Sequence, residues 1–135
     1  MDGGILLNVL LDTCAFLWMV RGDSNLSPTA HAVIANPSNE IFLSAVSAWE
    51  IGVKYGLGKL ALPVEPIVFI PRERHRHRLV SLPIDESASL TASSLPFHHK
   101  DPFDRLLIGQ ALSRGLTLLT PDPVIAQYTV PLLWN

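Results

Sequence analysis

The sequence has little cysteine, little charge and no long hydrophobic run. Only one cysteine, Cys14, occurs among 135 residues, which excludes an internal disulfide and suits a reducing compartment. No stretch approaches the roughly 20 apolar residues needed to span a bilayer. Residues 1–4 lack the basic segment of a secretory signal. We therefore expect a cytoplasmic protein without a membrane association.

Positive charge is also scarce. Charged residues make up 16% of the chain and the formal net charge is −2, so binding to nucleic acid would require a local basic patch. Hydrophobic residues make up 48%, which is too many for a disordered chain. The length predicts a single domain over residues 1–135, able to bury about two-thirds of its unfolded surface.

Apolar runs alternate with helical segments along the chain. Strands are predicted at residues 5–11, 41–43, 79–82 and 116–119, with an edge strand at residues 130–134. Helices are predicted after Asp12, Ser27 and Ser44, and at residues 87–95 and 102–114. Three prolines interrupt residues 63–78, to which we assign no regular element. This order predicts an α/β protein, a three-layer α/β/α domain with a central parallel sheet of four to five strands.

Four acids lie at the ends of apolar segments or within them. Asp12 ends the first run, Asp122 follows the fourth predicted strand, and Glu50 and Asp104 lie on apolar helix faces. Because ligands of open parallel sheets bind beyond the carboxyl ends of the strands, these side chains should face one crevice. Grouped carboxylates raise one another's pKa unless a cation compensates, and such a group suits Mg²⁺ or Mn²⁺.

Each acid also has a purely structural interpretation. Asp101 suits the N-cap of a helix that begins at Pro102. Glu50 could pair with Lys54 one turn further along an exposed helix face. The remaining acids could serve as turn or cap residues. The functional interpretation therefore depends on all of them pointing into the same crevice.

Basic residues are concentrated in one short segment. Within residues 72–78 lie four of the ten Lys and Arg residues, namely Arg72, Arg74, Arg76 and Arg78. They could follow a phosphate backbone, although a solvated loop balanced by Glu73 explains the same charges. His98 and His99 precede the acidic helix and could contact a phosphate or simply form a surface loop.

Four segments, in this order, resemble the PIN-domain family and, more closely, VapC-type toxins of toxin–antitoxin pairs. Their sequences are LLDT at residues 10–13, SAWEI at 47–51, DPFDRLLI at 101–108 and LTPD at 119–122. The resemblance extends from about residue 7 to 134. It implies an acidic quartet that binds Mg²⁺ or Mn²⁺, formed by Asp12, Glu50, Asp104 and Asp122. It also matches a secondary acid and two supporting hydroxyls, at Asp101, Thr13 and Thr120.

The resemblance further implies a function. It predicts a PIN-like fold and a metal-dependent endoribonuclease that cleaves RNA, with tRNA or rRNA as the substrate class, by means of a water activated at the acidic site. It also predicts a VapB-like antitoxin partner and a homodimer. Residues that could contact the RNA are Arg105 and the four arginines of residues 72–78. A nuclease of general RNA or DNA processing and a non-catalytic metal-binding domain remain as alternatives.

One residue departs from the family pattern. Gly109 stands where similar sequences usually carry alanine. Glycine inside a helix should weaken that helix by up to about 1 kcal/mol, without touching a predicted ligand.

Overall fold

A computed structural model describes residues 6–135, and its centre is a parallel sheet. The sheet order is β3-β2-β1-β4-β5. The strands are β1 (Asn8–Leu11), β2 (Glu40–Ser44), β3 (Val80–Leu82), β4 (Thr117–Leu119) and β5 (Leu132–Leu133). All neighbouring pairs are parallel. The predicted sheet is therefore confirmed with five strands, although the predicted start of the first, at Ile5, lies outside the described residues.

Helices connect the strands, and most begin where the sequence predicts a cap. They are α1 (Thr13–Arg21), α2 (Pro28–Ala35), α3 (Ala45–Gly56), α4 (Pro66–Arg76), α5 (Glu86–Ser93) and α6 (Pro102–Arg114). Asp12, Ser27, Ser44 and Asp101 each accept a backbone N–H of the first helical turn with a side-chain oxygen. Among residues 6–135, none of these helices is long and apolar enough to cross a membrane.

The two faces of the sheet are covered by different helices. Val9 and Leu11 of β1 pack into a core that includes Phe16 of α1, and α2 and α4 contribute to the same core. Leu10 faces the other way and packs with α6 residues such as Leu107. Burial of both faces explains why residues 9–11 of β1 are all apolar, and it gives the three predicted layers.

Helix α4 occupies part of the segment to which the sequence assigned no regular element. It continues through Pro71 because Phe69 and Ile70 are buried on one face. Glu73, only 1% exposed, forms ion pairs with neighbouring arginines of the same helix, at 3.1 Å from Arg72 and 3.4 Å from Arg76. The interpretation of this segment as a solvated loop is therefore wrong, since burial of these side chains outweighs the cost of the proline.

Gly109 allows α5 and α6 to pack closely. A Cβ atom at this position would lie 2.5 Å from the carbonyl oxygen of Ala88 and 2.9 Å from the Cβ of Ala92. Both alanines belong to α5, one helical turn apart. The glycine that weakens α6 in isolation thus permits its contact with α5.

Candidate metal centre

The predicted acids lie at the carboxyl edge of the sheet. Asp12 directly follows β1, and Asp122 lies three residues beyond β4, which is paired with β1. Strand β2 pairs with β1 on its other side and leads into α3, which carries Glu50. Asp104 lies in the first turn of α6. The adjacent strand ends therefore deliver the acids to one region, as parallel topology dictates.

Asp12 is held by hydrogen bonds within this region. Its side chain caps α1 by accepting the backbone N–H of Ala15 at 2.8 Å, and the residue is 4% exposed. Burial raises the pKa of Asp12, and the charge of Asp122 adds to the increase. Hydrogen bonds from Thr120 and from Ala15 lower the pKa but do not cancel the effect of burial.

Glu50 has a partner for each oxygen. Thr13 donates its hydroxyl to Oε1 at 2.6 Å, and Nζ of Lys54 lies 2.5 Å from Oε2. The pairing of Glu50 with Lys54 therefore exists, but Glu50 is 4% exposed and does not lie on a solvated face. The hydrogen bond to Glu50 is the main cause that raises the pKa of Lys54, and the charges of Asp101 and Asp104 act in the same direction.

The pKa of Asp104 responds both to burial and to the charges of neighbouring residues. Its pKa is raised from 3.8 to about 7, mainly by burial and then by the charge of Asp101. Glu50 and Asp12 raise it further, whereas His99 lowers it. The charges of Asp101, Glu50 and Asp12 thus all act on Asp104 in the same direction. A cation among them would stabilise the ionised form of Asp104.

Asp101 has the structural role that its position suggests. Its Oδ1 accepts the backbone N–H groups of Phe103 at 2.8 Å and of Asp104 at 3.4 Å, so it caps α6. After burial, its charge is the next largest influence that raises the pKa of Asp104. The capping interpretation and a supporting place beside the acids are therefore compatible.

Sequence reasoning did not place His99 at the site. Nε2 of His99 lies 3.0 Å from Oδ2 of Asp104 and 3.0 Å from Oδ2 of Asp122. One ligand atom from each of these three residues lies within 4.8 Å of the others, a spacing that could hold a metal ion. The only available signal was the location of His99 just before the acidic helix. Its contact with a residue 23 positions away could not be read from the sequence.

Arg105 is a structural residue, which corrects its interpretation as an RNA contact. The residue is 8% exposed, and its guanidinium donates to several backbone carbonyls. These acceptors are the oxygens of Ala92 at 2.9 Å, Leu95 at 3.0 Å, Pro96 at 2.8 Å and His99 at 3.3 Å. A buried guanidinium engaged in this way is not available to a phosphate.

The four predicted RNA-binding arginines of residues 72–78 are engaged within the protein or lie away from the acids. Arg72 and Arg76 pair with Glu73. Arg74 donates to the carbonyl oxygens of Leu43 at 2.9 Å and Val80 at 3.3 Å, and burial lowers its pKa. Arg78 lines a cavity together with the first residues of β2 and of β3. That edge of the sheet is opposite the carboxyl edge, so Arg78 does not line the acidic crevice.

The chemistry of the acids fits a hard divalent cation, because carboxylate oxygens are the ligands that Mg²⁺ and Mn²⁺ prefer. Among the described residues, Asp104 and Asp122 have ligand atoms close enough to share an ion, and Asp12 and Glu50 act on Asp104 through their charges. Two of the acids are almost fully buried, and the pKa of Asp104 is raised by burial and then by neighbours of the same charge. Hydroxyl groups of Thr13 and Thr120 hold Glu50 and Asp12, as expected around metal-binding carboxylates.

Part of the sequence is similar to that of a known protein. Ribonuclease VapC16 from Mycobacterium tuberculosis (strain ATCC 25618 / H37Rv) is 38% identical over 56 residues, which cover 42% of this chain and 40% of that protein. The match therefore spans less than half the length of this curated relative. It compares a part of each chain.

Solved structures resemble nearly the whole chain in fold. VapBC2 from Rickettsia felis, bound to a promoter DNA fragment, matches with a TM-score of 0.71 and 15% identity over 96% of this chain and 100% of that chain. DNA-bound VapBC from Salmonella typhimurium matches with a TM-score of 0.68 and 19% identity over 95% and 98%. The PIN domain model matches residues 9–130. Because this match covers most of the sequence, the chain belongs to the PIN domain family.

Proposed function

We propose that this PIN domain is a metal-dependent endoribonuclease and the toxin of a VapBC-type toxin–antitoxin pair. The observation that carries the proposal is the group of buried and half-buried, mutually interacting acids at the carboxyl edge of the sheet. The similarity to a relative named as a ribonuclease VapC and the fold shared with VapBC complexes support it. RNA, with tRNA or rRNA as its class, is the proposed substrate, and the cytoplasm is the proposed location.

In this proposal Mg²⁺ or Mn²⁺ is held by the acidic quartet Asp12, Glu50, Asp104 and Asp122. Asp101 supports the group from the N-cap of α6. When bound, the cation would lower the pKa of a water molecule and neutralise charge on the phosphodiester. Such a site would allow hydrolysis without a nucleophilic side chain. Cys14 is an unsuitable nucleophile, because burial and the charge of Asp12 raise its pKa.

The supporting side chains fix the orientation of the carboxylates. Thr13 and Lys54 each engage one oxygen of Glu50, which restricts its rotation. Asp12 is restricted by the backbone of Ala15 and by Thr120. Glu50 would either complete the set of metal ligands or orient the attacking water as a base. Carboxylates fixed before the substrate arrives reduce the reorganisation that the reaction requires.

A VapB-like antitoxin and a second copy of the chain are the proposed protein partners. Trp49 is 56% exposed although it directly precedes Glu50, and it packs edge-to-face on Phe103 with ring centroids 5.1 Å apart. An exposed tryptophan beside the acids is suited to contact with an antitoxin.

We further propose that residues 1–135 act as a single domain.

The test is RNA cleavage by the purified protein with Mg²⁺, Mn²⁺ or EDTA. Asp12→Asn and Asp104→Asn should abolish cleavage without unfolding the protein, because each removes one proposed ligand charge. Glu86→Gln is the matched control, since Glu86 is an exposed acid in the first turn of α5. Cleavage that persists in EDTA or in both asparagine variants would contradict the proposal. Metal binding without cleavage of RNA would favour the non-catalytic alternative, and equal cleavage of DNA would favour general processing.

A further inference from the structure

His99 is held by hydrogen bonds on three sides. Its backbone N–H donates to the hydroxyl of Tyr128 at 2.8 Å. Its ring atom Nδ1 accepts the backbone N–H of Asp101 at 3.2 Å. Its other ring nitrogen, Nε2, lies 3.0 Å from Oδ2 of both Asp104 and Asp122. The imidazole therefore has a single, well-defined orientation.

The contact with Asp101 determines which ring nitrogen carries the proton. A backbone N–H can only donate, so Nδ1 must present its lone pair to Asp101. With the Nδ1 lone pair engaged by Asp101, Nε2 is the ring nitrogen that donates toward the carboxylates of Asp104 and Asp122. A nitrogen that carries a proton has no lone pair for a metal ion. In this arrangement His99 acts as a hydrogen-bond donor to the acids and does not coordinate the metal.

The loop that presents His99 is fixed by buried groups. The guanidinium of Arg105 binds four carbonyl oxygens between Ala92 and His99. Tyr128, which accepts the N–H of His99, donates its own hydroxyl to the carbonyl of Pro96 at 2.7 Å. The ring of His99 is therefore placed by a network of buried hydrogen bonds that depends on two other segments of the chain.

We propose that His99 is a positioning residue of the metal centre, whose Nε2–H holds the carboxylates of Asp104 and Asp122 side by side for a cation. The inference rests on the metal centre of the proposed function. Two carboxylates repel each other, and a donor shared between them reduces that repulsion and fixes their orientation. Loss of such an orienting partner typically weakens metal binding by about 10–100-fold.

The experiment is a titration of the full chain with Mn²⁺ at constant pH, comparing wild type with His99→Ala and His99→Gln. His99→Ala should weaken Mn²⁺ binding by about 10–100-fold. His99→Gln should recover most of the affinity, because its amide N–H can donate from a position near that of Nε2. His75→Ala, which removes an exposed histidine on α4, should bind Mn²⁺ like wild type. Thermal unfolding of each variant checks that the fold persists.

An electron paramagnetic resonance measurement on bound Mn²⁺ provides a second readout. The wild-type spectrum should show no hyperfine coupling to a directly coordinated imidazole nitrogen. Such a coupling, if it disappears in His99→Ala, would overturn the inference by making His99 a ligand. Unchanged or tighter Mn²⁺ binding in His99→Ala would also overturn the inference. It would be overturned as well if His99→Gln bound Mn²⁺ as weakly as His99→Ala, or if wild type bound no Mn²⁺. If wild type cleaves no RNA while His99→Ala weakens Mn²⁺ binding and His99→Gln restores it, the inference stands and only the proposed function fails.

Discussion

Replacement of Gly109 by alanine should destabilise the protein, although alanine is the better helix former. The reason lies in the contact between α5 and α6. The added Cβ would lie 2.5 Å from the carbonyl oxygen of Ala88, whereas ordinary van der Waals contacts begin at 3.4 Å. Because the obstructing atom belongs to the backbone, no side-chain rotation can remove the clash, and α5 must move away from α6.

The two effects of this substitution have opposite signs. Alanine gains up to about 1 kcal/mol of helix propensity over glycine. Overpacking a close contact costs about 1–3 kcal/mol. Because the clash at 2.5 Å is with a backbone atom, the cost should lie at about 2–3 kcal/mol, the upper part of that range, and we expect a net loss of about 1–2 kcal/mol in the free energy of unfolding. For a domain of this size each kcal/mol lowers the melting temperature by about 3–5 °C.

Gly52 supplies the matched control. It lies inside α3, and a Cβ added there would meet no atom within 4 Å. Gly52→Ala should therefore stabilise the protein by up to about 1 kcal/mol. Urea unfolding of wild type and of both variants measures the two signs directly. Equal stabilisation by Gly109→Ala and Gly52→Ala would refute the proposed role of Gly109 in helix packing.

Three further predictions concern charged residues. Arg105→Lys should lower the free energy of unfolding by about 1–3 kcal/mol, because one ammonium group cannot reach all the loop carbonyls; an unchanged urea midpoint would contradict this role. Between about pH 4 and 7, Asp104 is protonated in the folded metal-free protein and ionised in the unfolded chain. Stability in EDTA should therefore fall as the pH rises through this range, and Asp104→Asn should reduce that fall; an equal slope in the variant would count against the raised pKa. Arg78→Gly removes a charge at a backbone φ of 54°, which glycine tolerates, and should leave RNA cleavage and its salt dependence unchanged. If RNA cleavage by this variant depended less on salt concentration than cleavage by wild type, Arg78 would be part of the RNA-binding surface.

The sheet and the helix starts could be predicted because their signals are local. Residues 9–11 of strand β1 are all apolar, and the helix that follows begins at a capping aspartate, Asp12. Asp101 and Pro102 define the start of α6 in the same way. Such signals depend on neighbours within a few residues, so the sequence contains what is needed to interpret them.

Other features depend on contacts between distant segments. Helix α4 exists because Phe69 and Glu73 are buried, and neither the burial nor the partners can be read from a proline-rich segment. The need for glycine at position 109 arises from α5, about 20 residues earlier. Arg105 resembled a surface cation until its carbonyl acceptors were known. In each case tertiary packing overrides the local pattern.

The candidate site likewise contains residues that could be predicted from the sequence and one that could not. The acids could be identified because parallel strands deliver their carboxyl ends to one edge, whatever the details of packing. His99 could not be placed there, since its ring reaches Asp122 through the conformation of the loop between α5 and α6. Connecting loops follow weaker local rules than strands or helices, and their side-chain contacts are correspondingly harder to predict.

The central claim, that the acids at the carboxyl edge of the sheet form a metal centre, is tested most directly by diffraction from crystals grown with Mn²⁺. An anomalous difference map needs no assumption about the substrate. The account predicts a peak within coordination distance of the carboxylates of Asp12, Asp104 and Asp122. A Mn²⁺ ion bound elsewhere, or fully occupied crystals of folded protein with no peak among these acids, would contradict it.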